Sequence, residues 1–210
     1  MFLGGGHKTT VSHDGLLDDP EEGLLDRARA GDEKAFAEIV RRYERMVYSF
    51  SYKVCRDRQN AEETLQDTFV NVFRKLKQFD GKSKFSTWLY TIVANNCLMK
   101  RRRGKLEAAS VSIDEKRTTP GGDDHEGLEI QSWRNTPLEE TMSKELRQRL
   151  DAAIRKLPVD YRLAFILRDI EGKSAEESAE ILKLSIPALK SRLRRARVFL
   201  RGELNEYMTS

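Results

Sequence analysis

The sequence contains few of the residues that build catalytic or metal sites. Its 210 residues include three histidines, His7, His13 and His125, and all three fall in stretches without helical periodicity. No group of side chains has metal-ligand spacing, and no glycine-rich phosphate loop follows a strand pattern. We therefore expect a protein that is not an enzyme and that uses no metal and no cofactor.

Long apolar runs are also missing. No stretch approaches the roughly 20 apolar residues that cross a bilayer. The amino-terminal segment lacks the basic and apolar regions of a signal peptide. We expect a cytoplasmic protein without membrane insertion. Its two cysteines, Cys55 and Cys97, both lie in helical apolar patterns. They are interpreted either as reduced buried thiols or as a redox pair.

Strand-like alternation is absent as well, and apolar residues instead recur three and four positions apart. This periodicity predicts an all-α fold of two small helical domains. It stops in a long acidic segment rich in glycine and proline, which is typical of a flexible linker. The expected division is a flexible tail at 1–21, an N-terminal lobe at 22–103, a linker at 104–140 and a C-terminal lobe at 141–210.

Several helix starts can be predicted from capping residues. The expected N-caps are Asp32, Asn60, Ser86 and Ser174. Asn60 and Ser174 are each followed three positions later by a glutamate, which is the spacing of a capping box. Pro187 fits the first turn of the last helix, where a missing N–H costs little.

The last predicted helix separates apolar from cationic side chains. On a helical wheel the core-facing residues are Ile186, Leu189, Leu193, Ala196 and Leu200. Small residues and cations with few acidic neighbours occupy the outward surface, and a short helix precedes it, as in a helix-turn-helix that enters the DNA major groove. A merely solvated face is the alternative. The candidate DNA contacts are Ser185, Pro187, Ala188, Lys190, Ser191, Arg192, Arg194 and Arg195.

A second nucleic-acid signal lies near the end of the N-terminal lobe. Lysines and aromatics alternate in a loop, two amides follow within the next helix, and a run of cations ends it. Such a mixture suits unpaired nucleotides, which stack on aromatic rings. Core packing is the alternative for the aromatic and aliphatic side chains. The candidates are Lys82, Ser83, Lys84, Phe85, Ser86, Trp88, Asn95, Asn96, Arg102 and Arg103.

The helix before that loop carries an outward face with two acids four residues apart and an exposed valine between polar residues. Either a solvated face or a face that docks a basic protein partner explains this pattern. The candidate docking residues are Glu63, Gln66, Asp67, Val70, Asn71 and Arg74.

Three stretches taken together resemble a known family. They read AEETLQDTFVNVF, then FSTWLYTIVANNCLMKRRR, then LPVDYRLAFILRDIEGKSAEESAEILKLSIPALKSRLRRAR. In this order they resemble the extracytoplasmic-function (group IV) sigma factors of bacterial RNA polymerase. The resemblance implies a sigma-2 domain at 22–103 and a sigma-4 domain with the helix-turn-helix at 141–210.

The resemblance also implies partners and roles. The helix with Gln66 and Asp67 would dock on the β′ clamp helices of core polymerase, and the C-terminal lobe would hold the β flap. The loop at 80–86 and the helix through Asn95 would recognise and melt the −10 element of promoter DNA. Lys190, Ser191, Arg192 and Arg195 would lie on the −35 element. An anti-sigma factor would be a further partner.

Two functions fit these observations. The first is a promoter-recognition subunit of RNA polymerase, and the second is a free-standing DNA-binding regulator. The regulator needs no second DNA-reading surface near Trp88–Arg103 and would bind promoters without polymerase. The long acidic linker also fits a regulator poorly.

Overall fold

The computed structural model describes residues 20–111 and 144–208. Regular structure in these two ranges is helical, with no strand in either, so the predicted all-α fold is confirmed. The helices are α1 (Pro20–Arg29), α2 (Glu33–Cys55), α3 (Arg58–Lys75), α4 (Phe85–Val111), α5 (Lys144–Lys156), α6 (Val159–Phe165), α7 (Ala175–Leu182) and α8 (Ile186–Met208).

Two of the predicted segments fall mainly outside the described residues. These are the tail, of which residues 1–19 are not described, and the linker, of which residues 112–140 are not described. The first three residues of the predicted C-terminal lobe, 141–143, are not described either. Helix α4 continues to Val111 and so extends eight residues past Arg103, where the apolar periodicity ends.

The described chain divides into two units between Ile39 and Val40. The first unit contains α1 and the start of α2. Within it, the Asp32 carboxylate accepts the backbone amides of Lys34 and Ala35, which confirms Asp32 as an N-cap. The second unit contains the remaining described residues, including most of both predicted lobes.

In the second unit, α3 and α4 pack side by side, and α2 contacts α4. Phe50 of α2 meets the Tyr90 ring edge-on at 4.9 Å, and both side chains are buried. Helix α3 begins earlier than its predicted cap. Asp57 accepts the amide of Asn60 at 2.7 Å, so the predicted N-cap at Asn60 is wrong. Asp57 takes this role because Arg56, at φ 59°, turns the chain sharply after α2.

The C-terminal lobe is a four-helix array. Helix α6 passes into a π-helical turn at Ile166–Ile170, and the chain leaves it through Gly172 at φ 66°. Ser174 and Glu177 form the predicted capping box at the start of α7. Helix α7 ends at Lys183 in the left-handed conformation, and the turn to α8 follows. Helices α5 and α6 also pack on α8, so α7 and α8 form a helix-turn-helix on a helical support.

The two lobes contact each other through an interlobe cluster, which we define as Lys53, Tyr90 and Glu171. One Glu171 carboxylate oxygen accepts Lys53 Nζ at 2.8 Å, and the other accepts the Tyr90 hydroxyl at 2.7 Å. The side chains of Lys53 and Glu171 are 9% and 15% exposed. The Lys173 ammonium lies 4.9 Å from the centre of the Tyr90 ring. The cluster therefore pairs every charge that it removes from water.

Arg162 adds a second set of contacts between the lobes. Its guanidinium donates to the carbonyl oxygen of Val54 in the N-terminal lobe and to those of Arg155 and Leu157 in its own lobe. Burial lowers the pKa of Arg162 to about 10. Arg56, which directly follows α2, pairs with Asp151 of α5 at 3.1 Å. The carboxyl end of α2 is thus held by polar contacts from the C-terminal lobe.

Replacing Glu171 with alanine tests this arrangement. We expect the free energy of unfolding to fall by about 3 kcal/mol, because the buried Lys53 ammonium loses its partner. Urea denaturation followed by circular dichroism measures the change. The control is Glu203→Ala, which removes an exposed pair with Lys156 and should cost at most about 1 kcal/mol. Equal losses in the two variants would show that the interlobe cluster is exposed to water in solution.

Candidate nucleic-acid and protein interfaces

The first candidate site is the α8 basic face, defined by the exposed side chains from Ser185 to Arg195. Ser185 accepts the amide of Ala188 at 3.3 Å and so caps α8, and Pro187 stands in its first turn as predicted. Lys190 and Ser191 are exposed, whereas Ala188 is half-buried. The start of the helix therefore presents small side chains between cations. A surface of this shape can approach base edges in a major groove.

The opposite side of α8 forms the core of the C-terminal lobe. Leu189, Leu193, Ala196 and Leu200 are all buried, as the helical wheel predicted. Ile186 is 36% exposed, so its predicted core position is wrong. It is the first residue of α8.

The cations of α8 have more partners than the sequence suggested. Arg192 pairs with Asp160 at 3.2 Å, and Arg195 donates to the Tyr161 hydroxyl at 3.0 Å. Further along, Arg197 makes a two-point pair with Asp169. The expectation of few acidic neighbours is therefore wrong for part of the helix. These partners lie on α6 and the π-helical turn, and they hold the guanidinium groups in place.

The second candidate site is the α4 surface, which comprises the loop before α4 and the exposed residues of that helix. Gly81, at φ 71°, turns the loop. Asp80 accepts the amide of Lys82 and pairs with its ammonium at 2.6 Å, which lowers the pKa of Asp80. The Lys82 side chain is 86% exposed. The loop thus has a defined turn and two lysines, Lys82 and Lys84, that face water.

Aromatic packing changes the interpretation of this surface. The Phe85 ring is 3% exposed and contacts the rings of Tyr43, Phe79 and Trp88 at centroid distances of 5.2–5.6 Å. Phe85 is therefore a core residue, and its prediction as a DNA contact is wrong. Trp88 is only half-buried. Ser86 lies inside the first turn of α4, which starts at Phe85, so its predicted role as N-cap is also wrong.

The two neighbouring asparagines of α4 differ in environment. Asn95 is exposed, as predicted. Asn96 is 8% exposed, accepts from Asn71 and donates to Thr68, both on α3. Its predicted outward orientation is wrong, because one residue along a helix turns the side chain by about 100°. Asn96 links α3 to α4. The arginines that follow, Arg102 and Arg103, are exposed.

The third candidate site is the α3 face, which consists of the outward side chains from Glu63 to Arg74. Gln66, Asp67 and Arg74 are exposed and Val70 is 48% exposed, whereas Asn71 is half-buried against Asn96. Glu63 pairs with Lys100 of α4 at 2.7 Å, and this contact lowers the pKa of the Glu63 carboxyl. Asp67 is thus the acid of this face that has no ion pair among the described residues.

Sequence reasoning missed the largest apolar group on this face. Phe73, three residues after Val70, is 65% exposed. The three-residue spacing from Val70, which was already predicted to be exposed, is the signal that could have identified it. On α4, Met99 is also exposed, at 51%. Exposed apolar side chains beside acids are typical of a surface that a partner protein covers.

Each of the two lobes matches a known protein family. Residues 39–107 match the family described as Sigma-70 region 2, and residues 147–200 match that described as Sigma-70, region 4. The chain is 30% identical to the RNA polymerase sigma-H factor of Pseudomonas aeruginosa, over 87% of this chain and 92% of that protein. It is 34% identical to the ECF RNA polymerase sigma-E factor of Escherichia coli, over 83% and 88% of the two chains.

A solved structure is also similar. It is the co-crystal structure of the sigma factor RpoE in complex with the anti-sigma factor NepR from Bartonella quintana. The TM-score is 0.58 at 25% sequence identity, and the match covers 82% of this chain and 98% of that one.

The pair Asn95 and Asn96 gives a matched test of the α4 surface. We expect Asn96→Ala to lower the free energy of unfolding by about 1–3 kcal/mol, because it removes the hydrogen bonds that the buried Asn96 amide makes with Thr68 and Asn71. Asn95→Ala should change it by less than about 0.5 kcal/mol, since that side chain is exposed. Chemical denaturation measures both. Similar losses for the two variants would contradict the assigned orientations.

Proposed function

This chain belongs to the sigma-70 family, as an extracytoplasmic-function sigma factor of RNA polymerase, and from that premise we propose a division of work among its three surfaces. The protein is not an enzyme; it recognises promoters for the polymerase that carries out synthesis. The proposal concerns which residues contact which partner. It retains the sigma-2 domain at 22–103 and the sigma-4 domain at 141–210.

The α8 basic face binds the −35 element. The small side chains at the start of α8 allow close approach to base edges, and the cations of this face neutralise phosphates on either side. Arg192 and Arg195 are held by Asp160 and Tyr161. A guanidinium that is already oriented loses less side-chain entropy when it binds. The proposed contacts are Ser185, Pro187, Ala188, Lys190, Ser191, Arg192, Arg194 and Arg195.

The α4 surface binds and opens the −10 element. The exposed lysines of the loop attract the phosphate backbone, and the half-buried Trp88 and the exposed Asn95 offer a ring and an amide to an unpaired base. Phe85 and Asn96 are left out of the proposal because both are buried. The proposed contacts are Lys82, Ser83, Lys84, Ser86, Trp88, Asn95, Arg102 and Arg103.

The α3 face docks on the β′ clamp helices of core polymerase. Its proposed contacts are Glu63, Gln66, Asp67, Val70, Asn71 and Arg74, to which the exposure of Phe73 adds a seventh. An apolar centre with a charged rim is the usual composition of a protein interface. On the C-terminal lobe, Val198 and Phe199 of α8 are exposed at 62% and 37%, and this patch supports an interaction with the β flap.

An anti-sigma factor is a further proposed partner. The similar RpoE structure contains such a protein, NepR. We also propose a cytoplasmic location, where the polymerase works. None of the described helices combines the length and the apolar character that crossing a bilayer requires.

One observation carries this division of work. The chain has two separate surfaces suited to nucleic acid, one on each lobe, together with a third surface that is acidic and apolar and therefore unsuited to DNA. A free-standing regulator needs only the first. Run-off transcription with bacterial core polymerase on a genomic library, followed by mapping of start sites, tests it. We expect initiation at a defined pair of −35 and −10 elements only when both proteins are present.

Charge reversal at Asp67 tests the docking face. We expect Asp67→Lys to weaken binding to core polymerase by about tenfold, because a cation would then face a basic partner. Fluorescence anisotropy of the full-length protein with core polymerase measures the affinity. Glu44→Lys makes the same charge change at an exposed position of α2 and should have little effect. Unchanged affinity for the Asp67 variant would refute the docking assignment.

Substitution of Arg195 by alanine separates base reading from phosphate contact. If Arg195 reads a base, its loss should cost about 1–3 kcal/mol on the preferred −35 sequence and relax the preference at one position. Binding of the holoenzyme to a set of −35 variants measures this. Lys190→Ala provides the comparison for a phosphate contact, with a uniform loss on all sequences. A uniform loss for Arg195→Ala as well would remove it from the base-reading set.

A further inference from the structure

The two cysteines of the chain, which the proposed function does not use, lie against each other. Cys55 is the last residue of α2 and Cys97 lies in the middle of α4, 42 positions away in sequence. Their sulfur atoms are 3.6 Å apart. A disulfide bond requires about 2.05 Å between sulfurs, so the two atoms must approach each other by about 1.5 Å to bond.

The two thiols have different environments. Cys97 is 4% exposed, whereas Cys55 is partly exposed and also lies 3.8 Å from the Thr64 hydroxyl. The hydrogen bond from Cys97, with help from Thr64 and the positive charges of Lys100 and Arg162, lowers the pKa of Cys55 to about 7. The pKa of Cys97 is raised by its contact with Cys55 and by burial. Cys55 is thus the more exposed of the two cysteines and the one whose thiolate is favoured.

We propose that Cys55 and Cys97 form an oxidisable dithiol site, in which a hydroperoxide oxidises Cys55 and Cys97 closes an intramolecular disulfide bond. The Cys55 thiolate attacks the peroxide oxygen, the O–O bond breaks, and an alcohol or water leaves with a proton from solvent. The Cys97 thiol then attacks the Cys55 sulfenic acid. The S–S bond forms, the S–O bond breaks, and water leaves with the thiol proton. The two electrons pass from the dithiol to the peroxide.

The opposite order of attack does not fit the structure. A buried Cys97 with a raised pKa presents neither the access nor the thiolate that reaction with a peroxide needs. As the second nucleophile it needs no access to solvent, because its partner sulfur is already in contact. The two cysteines are far apart in sequence, and it is the packing of α2 on α4 that places a resolving thiol beside the reactive one. In a reducing compartment the bond would be transient, as thiol reductants would restore both cysteines.

Treatment of the full-length reduced protein with hydrogen peroxide tests the site. We expect a monomer that has lost the mass of two hydrogen atoms, a cross-linked peptide containing Cys55 and Cys97, and recovery of both thiols with dithiothreitol. Mass spectrometry of the intact chain and of its peptides measures all three. Separate sulfinic acids without a cross-link, or only disulfide-linked dimers, would overturn the proposal, and neither result needs a variant.

Two serine variants test the order of attack. In Cys97→Ser, Cys55 should stop at the sulfenic acid, which dimedone traps. In Cys55→Ser, Cys97 should react at least about tenfold more slowly with the same peroxide, because it stays buried. Circular dichroism checks that each variant is folded. Equal reaction rates in the two variants would overturn the assignment of Cys55 as the attacking residue, whether or not the protein acts with polymerase.

Discussion

The arrangement of the two lobes depends on a buried ionic contact. One carboxylate oxygen of Glu171 accepts a hydrogen bond from the Lys53 ammonium, and the other accepts one from the Tyr90 hydroxyl. Moving such charges out of water costs free energy. Their mutual attraction offsets this desolvation cost only when each group keeps good hydrogen bonds. Glu171 meets this condition with partners from α2 and α4. The contact therefore specifies how the lobes pack more than it adds to stability.

An ionic interface also has a consequence for a protein whose two lobes are proposed to bind different parts of one promoter. When a polar contact opens, water solvates the separated charges, and this hydration offsets much of the interaction energy that is lost. An apolar interface of the same size would expose surface without compensation. The contacts of Arg162 with three carbonyl oxygens and of Arg56 with Asp151 follow the same pattern.

Helix α4 contributes to the core of the N-terminal lobe, to the contact between the lobes and to the proposed DNA surface. Its buried side contributes Leu89, Val93 and Cys97 to the core of the N-terminal lobe. Tyr90 reaches the C-terminal lobe, and Asn96 joins α3 through two hydrogen bonds. The remaining exposed positions form the α4 surface. One helix therefore contributes residues to the core, to the contact between the lobes and to the proposed DNA surface. Each of these roles uses a different face of the helix, so residues that are adjacent in sequence have unrelated roles.

The sequence by itself determined the helical fold, the helix-turn-helix, the family and most exposed positions of the three surfaces, because periodicity and capping are local properties of the chain. Ser174 and Glu177 form the predicted capping box through hydrogen bonds between positions only three apart in sequence. Other assignments depended on neighbours distant in sequence. Phe85 and Asn96 are buried, Ile186 is exposed, and Cys55 meets Cys97 because of how particular helices pack. Only the tertiary structure decided these, since burial and partner choice are set by contacts between elements, which no local pattern encodes.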